Sequence, residues 1–145
     1  MNDVVISFIS MIEADGDEPQ RYELTTLGKM RVDNGVFRIS YVDSESESGK
    51  EAGEGNKTFL TVDTNNDTIV IRRKGEIDSK LNIHKGRRCV GHYNVGPASL
   101  LVGVSERMID VDLNGDGGSL HVEYAIDINA EFVSKNTIDI KIKKA

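Results

Sequence analysis

The stretch "LHVEYAIDINAEFVSKNTIDIKIKK", residues 120–144, alternates apolar and polar side chains in both of its halves. In the second half Ile138, Ile140 and Ile142 are separated by single polar residues. Because successive side chains of a β-strand point to opposite faces, this period of two predicts a strand with one buried face. The first half repeats the pattern from Leu120 to Ile128, so the stretch predicts two strands joined by a short turn.

The same period extends outward over most of the chain. Strand-length runs rich in β-branched and aromatic residues are "RYELTTL" at 21–27, "VFRISYV" at 36–42, "KTFLTV" at 57–62 and "TIVIRR" at 68–73. Turn dipeptides such as Asn34-Gly35, Lys85-Gly86 and Asn114-Gly115 separate such runs. No window shows a helical stripe with caps. Many short strands at this spacing predict an all-β sandwich or barrel.

Alternation also predicts which side chains face the interior. The predicted interior residues are apolar and fall on one face of their strands: Val4, Ile6, Phe8, Leu24, Ile39, Ile69, Ile71, Leu81, Val111, Leu113, Val122, Ile126, Ile138 and Ile140.

Length and composition limit the class of protein. A chain of 145 residues is long enough for one domain with its own core, so we expect a single domain over residues 1–145. The formal net charge of -6 does not favour non-specific binding to nucleic acid or to an anionic membrane. The lone Cys89 cannot form an internal disulfide, which fits a reducing compartment. The apolar start Val4–Ile12 is too short for a membrane span and lacks the basic flank of a signal peptide, so we expect a cytoplasmic protein.

The segment "DSESESGKEAGEGN", residues 43–56, interrupts the strand pattern. It contains Asp43 and four glutamates against a single lysine, and almost no side chain that a core would bury. Burial there cannot offset the entropy cost of ordering, so we predict a mobile acidic loop between two strands. An acidic interaction segment is the functional alternative.

The stretch "DVDLNGDGGSLH", residues 110–121, resembles the start of a calcium-binding loop. Such a loop needs a bidentate carboxylate at its twelfth position, where this chain has His121. The flanks alternate with a period of two, whereas a calcium loop of this type lies between helices. Residues that tolerate a tight reversal, Asn114-Gly115 and Gly117-Gly118, fill the middle. We therefore predict a β-hairpin turn and no metal site.

The sequence evidence for a catalytic site is as weak as that for a metal site. The three histidines, His84, His92 and His121, do not share a metal-ligand spacing. Ser99 and Ser105 lack the context of a nucleophile, and no glycine-rich phosphate loop occurs. We expect no catalysis and no cofactor.

Residues 72–88, "RRKGEIDSKLNIHKGRR", hold seven basic side chains against Glu76 and Asp78. A basic hairpin on a small barrel can contact phosphates, so one hypothesis is a surface module that binds RNA or a protein partner through this segment. A solvated hairpin whose charges balance the acidic loop is the alternative.

From residue 72 onward the sequence resembles the YwiB family of small bacterial β-barrel proteins. The resemblance rests on the arginine-lysine-glycine at 73–75, Ser79-Lys80-Leu81, Lys85-Gly86 and Tyr93, and on Gly117-Gly118 with "YAIDINAEFVSKNTIDIKIK" at 124–143. It extends more loosely to "VVISFIS" and "YELTTLGKM" near the start. Two departures are "VGPAS" at 95–99, where the family usually has a Thr-Pro-Tyr-Gly turn, and Ser105, where threonine is common.

The resemblance implies an antiparallel up-and-down, lipocalin-like (calycin) β-barrel of roughly eight to ten strands, wide enough for side chains or one small ligand. It implies no activity. By analogy with such barrels, we expect a small amphipathic or anionic ligand inside.

Two arginines and two tyrosines are the predicted ligand-binding residues. Arg73 continues the face of Ile69 and Ile71, and Arg107 continues the face of Ile109 and Val111. Inward arginines are costly unless they are paired or meet an anion, so they would hold a carboxylate or phosphate, with hydroxyl partners from Tyr41 and Tyr124. A bulge near Gly103 or Gly75 would instead turn either arginine outward.

Overall fold

Ten antiparallel β-strands form one continuous sheet in the computed structural model, which describes residues 2–42, 57–74, 79–95 and 98–145. Of residues 92–95 and 98–99 it describes the backbone alone. The strands are β1 (Asn2–Ala14), β2 (Gln20–Asp33), β3 (Val36–Val42), β4 (Lys57–Asp63), β5 (Thr68–Lys74), β6 (Ser79–His84), β7 (Arg88–Val95), β8 (Ala98–Asn114), β9 (Gly117–Ile128) and β10 (Glu131–Lys144). The predicted acidic loop at 43–56 lies outside the described residues.

The strand order is β6-β5-β4-β3-β2-β1-β10-β9-β8-β7, so nearly every strand pairs with its neighbours in sequence. The first and last strands also pair, from Val4 opposite Lys144 to Ala14 opposite Ser134. Between β6 and β7 a single described bridge joins His84 to Arg87. The sheet is therefore a nearly closed up-and-down barrel, and the predicted all-β barrel of eight to ten strands is confirmed. No helix in the described ranges is long and apolar enough to cross a membrane.

The barrel interior is a continuous hydrophobic core, and the alternation predicted it correctly. Nine of the predicted residues are buried: Val4, Ile6, Phe8, Leu24, Ile39, Ile69, Val122, Ile138 and Ile140. The other predicted residues are half-buried and pack against them: Ile71, Leu81, Val111, Leu113 and Ile126. Further core residues that the prediction omitted include Met30, Phe37, Leu60, Val62 and Ile83.

Residues 110–121 form the β8–β9 hairpin, as predicted. Asn114 pairs with Gly117 across a two-residue turn, and the Asn114 side-chain oxygen accepts a hydrogen bond from the Asp116 N–H at 2.8 Å. Gly117 and Gly118 have φ values of 126° and 133°, which L-residues rarely adopt. Two glycines therefore let the chain reverse here, and both flanks of the turn are strands rather than helices.

Candidate functional site

A cavity of about 350 Å³ opens at one end of the barrel. It lies where β1, β3, β5 and β9 end and where β6, β8 and β10 begin. We call it the end cavity. Its apolar wall comes from six different strands: Phe8, Ile71, Leu81, Val102, Ile126 and Ile138. Its polar lining residues include Ser10, Tyr41, Arg73, Ser79, Tyr124 and Asn136.

A row of polar side chains crosses one wall of the end cavity. The strand register places Tyr41 opposite Thr58, Thr58 opposite Arg73, and Arg73 opposite Ser79. Paired residues share a face of the sheet, and Thr58 lies on the same face as the buried Leu60. All four members of the row therefore belong to the interior face of β3 to β6.

Thr58 is the exceptional member of this row. It is 2% exposed, and its Oγ1 is the one buried side-chain oxygen in the described part of the chain that has no hydrogen-bond partner. A buried hydroxyl without a partner costs about 1–3 kcal/mol. The polar row therefore contains an unsatisfied group between two residues that line the end cavity.

The opposite wall contains a second polar pair. Asn136 on β10 lies opposite Tyr124 on β9, and both residues are buried. The Asn136 amide donates a hydrogen bond to the Ser134 hydroxyl at 3.0 Å, which fixes the orientation of that amide. The Phe8 ring contacts Tyr41 with ring centroids 6.4 Å apart. The cavity thus combines aromatic and aliphatic side chains with polar side chains from two groups of strands.

The structure brings together three of the four residues that the sequence predicted. Arg73, Tyr41 and Tyr124 all line the end cavity. Arg73 is the last inward residue of β5 and is exposed, because it lies at the mouth rather than in the core.

Arg107 lies elsewhere, and its predicted inward position was wrong. The β8–β9 register shifts between Glu106 and Met108, so Arg107 is the extra residue of a β-bulge. Its side chain is exposed and does not line the end cavity. The bulge lies in β8, as the alternative interpretation allowed, four residues beyond Gly103.

The described lining of the end cavity contains one charged residue, Arg73, and no carboxylate. Across the described ranges, the ion pairs do not involve Arg73. Within the described lining, an anion beside Arg73 would therefore meet a positive charge and no carboxylate.

Other charged groups pair on the outer surface. His121 lies between two carboxylates, with its Nδ1 2.5 Å from Asp139 and its Nε2 3.2 Å from Glu123. The hydrogen bond to Asp139, followed by that to Glu123, raises the pKa of His121 against an opposing effect of burial. Arg88 makes a two-pronged contact with Asp127, which lowers the pKa of that carboxyl. No group of three His, Cys, Asp or Glu residues within the described segments is arranged to hold a metal ion.

Sequence reasoning missed Thr58, Ser79 and Asn136. The alternation of "KTFLTV" places Thr58 on the face of Leu60 and Val62, so its inward direction was readable. Its position between Tyr41 and Arg73 depends on the register of three strands, which alternation within one strand does not specify.

Comparison with known proteins identifies the family. The model of the family described as Domain of unknown function (DUF1934) matches residues 6–140. The chain belongs to this family. The predicted kinship with YwiB is also supported by the crystal structure of ywiB protein from Bacillus subtilis, which matches with a TM-score of 0.68. That match covers 97% of this chain and 91% of the other at 20% identity, so it shows a shared fold. No curated protein matches the sequence. The DUF1934 family is described as a domain of unknown function, so membership in it assigns no activity.

Proposed function

We propose that this DUF1934 protein binds a small amphipathic anion in the end cavity. The observation that carries the proposal is the combination of a 350 Å³ cavity, an apolar wall and a single guanidinium at the mouth. Ligand sites in proteins are typically concave and mostly apolar, with a few polar groups that fix orientation. The end cavity fits that description.

The head group of such a ligand would lie at Arg73. A guanidinium presents donors in a planar fork that matches the two oxygens of a carboxylate or phosphate. Ser79 lies opposite Arg73 in the register and lines the same cavity, so its hydroxyl would be a further hydrogen-bond donor to the head group. Tyr41 and Tyr124 would border the head group.

The apolar part of the ligand would lie against Phe8, Ile71 and Leu81. The volume is near the lower end of the range of roughly 300–1,000 Å³ that is usual for small-molecule sites. A compact ligand with a short chain therefore fits better than a long-chain fatty acid.

We propose binding rather than catalysis. The described lining includes hydroxyls, one amide and one guanidinium, but no carboxylate, imidazole or thiol. General acid–base catalysis at neutral pH most often uses a histidine or a carboxylate. The serines that line the cavity therefore have no base in the described lining to activate them.

A thermal-shift screen with paired ligands tests this proposal. Short-chain carboxylates and alkyl phosphates are compared with the uncharged alcohols of the same chain length, so that the charge alone differs. The anions should raise the melting temperature of the wild type, because a ligand that binds only the folded state stabilises it by mass action. The alcohols should produce a smaller shift.

Two neighbouring arginines supply matched variants. Arg73→Gln removes the inward charge, and Arg72→Gln removes an equal charge from the outer face of the same strand. The anion-induced shift should disappear in Arg73→Gln and persist in Arg72→Gln. Equal shifts in both variants, or no shift with any anion in the wild type, would contradict the proposal.

A further inference from the structure

The outer surface of strands β3 to β6 and the adjoining part of β2 is strongly basic. Its outward positions alternate with buried residues of the core, so the register fixes which side chains share this surface. We define the basic face by six exposed cations: Arg31, Arg38, Lys57, Arg72, Lys74 and Lys80.

On β3 to β6 and the part of β2 that pairs with β3, the described carboxylates are Asp33 and Asp63. Asp63 borders the basic face at the far end of β4, where hydrogen bonds from Asn66 first, then Asn65, and lastly the charge of Arg38 lower the pKa of its carboxyl. Arg72 and Lys74 form no ion pair with any residue that the structure describes.

The opposite side of the barrel carries the described acidic cluster, formed by Asp110, Glu123 and Asp139 around His121. On the described outer surface, the basic face and this acidic cluster thus lie several strands apart. The local positive potential of the basic face attracts an anionic partner.

An aromatic ring lies at the centre of the basic face. The Nζ atoms of Lys57 and Lys74 lie 5.2 Å and 5.9 Å from the centroid of the Phe59 ring. Phe59 and Val70 also line a shallow surface depression of about 340 Å³, whose rim includes Arg72, Lys74 and Lys80. The depression thus combines an apolar, partly aromatic floor with a cationic rim.

We propose that the basic face binds single-stranded nucleic acid, with a base stacked on Phe59 and phosphates at Arg72 and Lys74. Single-strand binding sites combine a cationic path for the backbone with aromatic rings on which bases stack. A duplex keeps its bases stacked inside and would use only the charges. An acidic peptide would likewise use the cations but has no planar group matched to the Phe59 ring.

This inference is independent of the end cavity. Arg72 and Arg73 are adjacent in sequence but lie on opposite faces of β5, so each can be removed without touching the other site. Binding at the two sites can therefore be measured with the same pair of variants.

Fluorescence anisotropy with labelled single strands of about 12 nucleotides, RNA and DNA, tests the proposal. The wild type should bind both at low salt, and the affinity should fall steeply as salt is added. The double variant Arg72→Gln with Lys74→Gln should bind at least tenfold more weakly. Its plot of log binding constant against log salt concentration should be shallower by roughly 1.4 in slope, about 0.7 for each lost cation. Phe59→Leu should weaken binding by roughly tenfold and leave the slope unchanged, because it removes stacking but no charge.

The matched control is Lys141→Gln with Lys143→Gln. These two exposed lysines lie on the outer face of β10, five strands from β5, and their loss changes the net charge by the same amount. This control should bind within about twofold of the wild type. Equal losses of affinity in both double variants would show that net charge alone determines binding, and would overturn the proposal. So would an unchanged affinity in Phe59→Leu, a duplex or polyglutamate bound as tightly as the single strand, or no binding at low salt.

Discussion

The Thr58 hydroxyl is buried beside the end cavity without a hydrogen-bond partner, and this lowers the stability of the fold. Thr58→Val keeps the shape of the side chain and removes the unsatisfied oxygen. We expect the free energy of unfolding to rise by about 1 kcal/mol, because the desolvated hydroxyl is removed and no hydrogen bond is lost. Urea unfolding measures this change, with Thr61→Val on the outer face of the same strand as the matched control. A clear loss of stability in Thr58→Val would show that the hydroxyl has a partner.

His121 is expected to make stability depend on pH. Its pKa is raised in the folded protein, chiefly by the hydrogen bond to Asp139 and then by Glu123, and Asp110 faces it from β8. Its stabilising contribution should therefore be complete below about pH 6.5, the usual value for histidine, and should be lost as the pH rises through the raised pKa.

Urea unfolding at about pH 5.5 and about pH 8.5 tests this expectation. Wild type should exceed His121→Gln in stability at the lower pH, and the difference should shrink at the higher pH. A double-mutant cycle of His121→Gln with Asp139→Asn measures the coupling free energy between the two side chains, which should also be larger at the lower pH. A difference between wild type and His121→Gln that is the same at both pH values would contradict the assigned pairing.

Within single strands, the alternation of the sequence predicted which side chains face the barrel interior. The residues from Ile138 to Ile142 read correctly as one face of β10, because the period of two is a local property of an extended chain. The bulge beside Arg107 was not readable in the same way, because an extra residue interrupts alternation without a distinctive composition. One arginine was therefore placed correctly and the other was not.

The β8–β9 hairpin depends on backbone geometry that only glycine tolerates easily. Gly118 has a φ of 133°, and a Cβ there would overlap the carbonyl oxygen of Asp112. We expect Gly118→Ala to lose about 2–4 kcal/mol of unfolding free energy, from strain and overlap together. Gly115 in the same turn has open space around a Cβ, so Gly115→Ala should change stability by no more than about 1 kcal/mol.

Thermal or urea unfolding of the two glycine variants measures the contrast. The wild type and Gly115→Ala should unfold close together, with Gly118→Ala well below both. Equal stabilities for the two variants would mean that the turn relaxes to another geometry. That result would contradict the backbone conformation described for residues 114–118.

Across the whole molecule, the sequence predicted a barrel but not the composition of its open end. The pairing of β1 with β10 and the row from Tyr41 to Ser79 depend on registers between strands, some of which are far apart in sequence. Such registers are fixed by the packing of the closed sheet rather than by any one strand. The end cavity therefore emerges only when the strands are assembled.

The assembled barrel also gives adjacent residues different roles. Arg73 faces the end cavity, whereas Arg72 belongs to the basic face on the outside. The sequence showed only a basic run from residue 72 to residue 88. Division of that run between inside and outside follows from the alternation of β5, and it separates the two binding proposals experimentally.

Native mass spectrometry of the purified protein, alone and with a short-chain carboxylate or alkyl phosphate, tests directly whether Arg73 and the end cavity bind an anion. We expect a discrete one-to-one adduct on the wild type and on Arg72→Gln, and a strongly reduced adduct on Arg73→Gln. A wild type that stays free of ligand with every anion offered would contradict the proposed binding. An adduct of equal abundance on Arg73→Gln would contradict it as well.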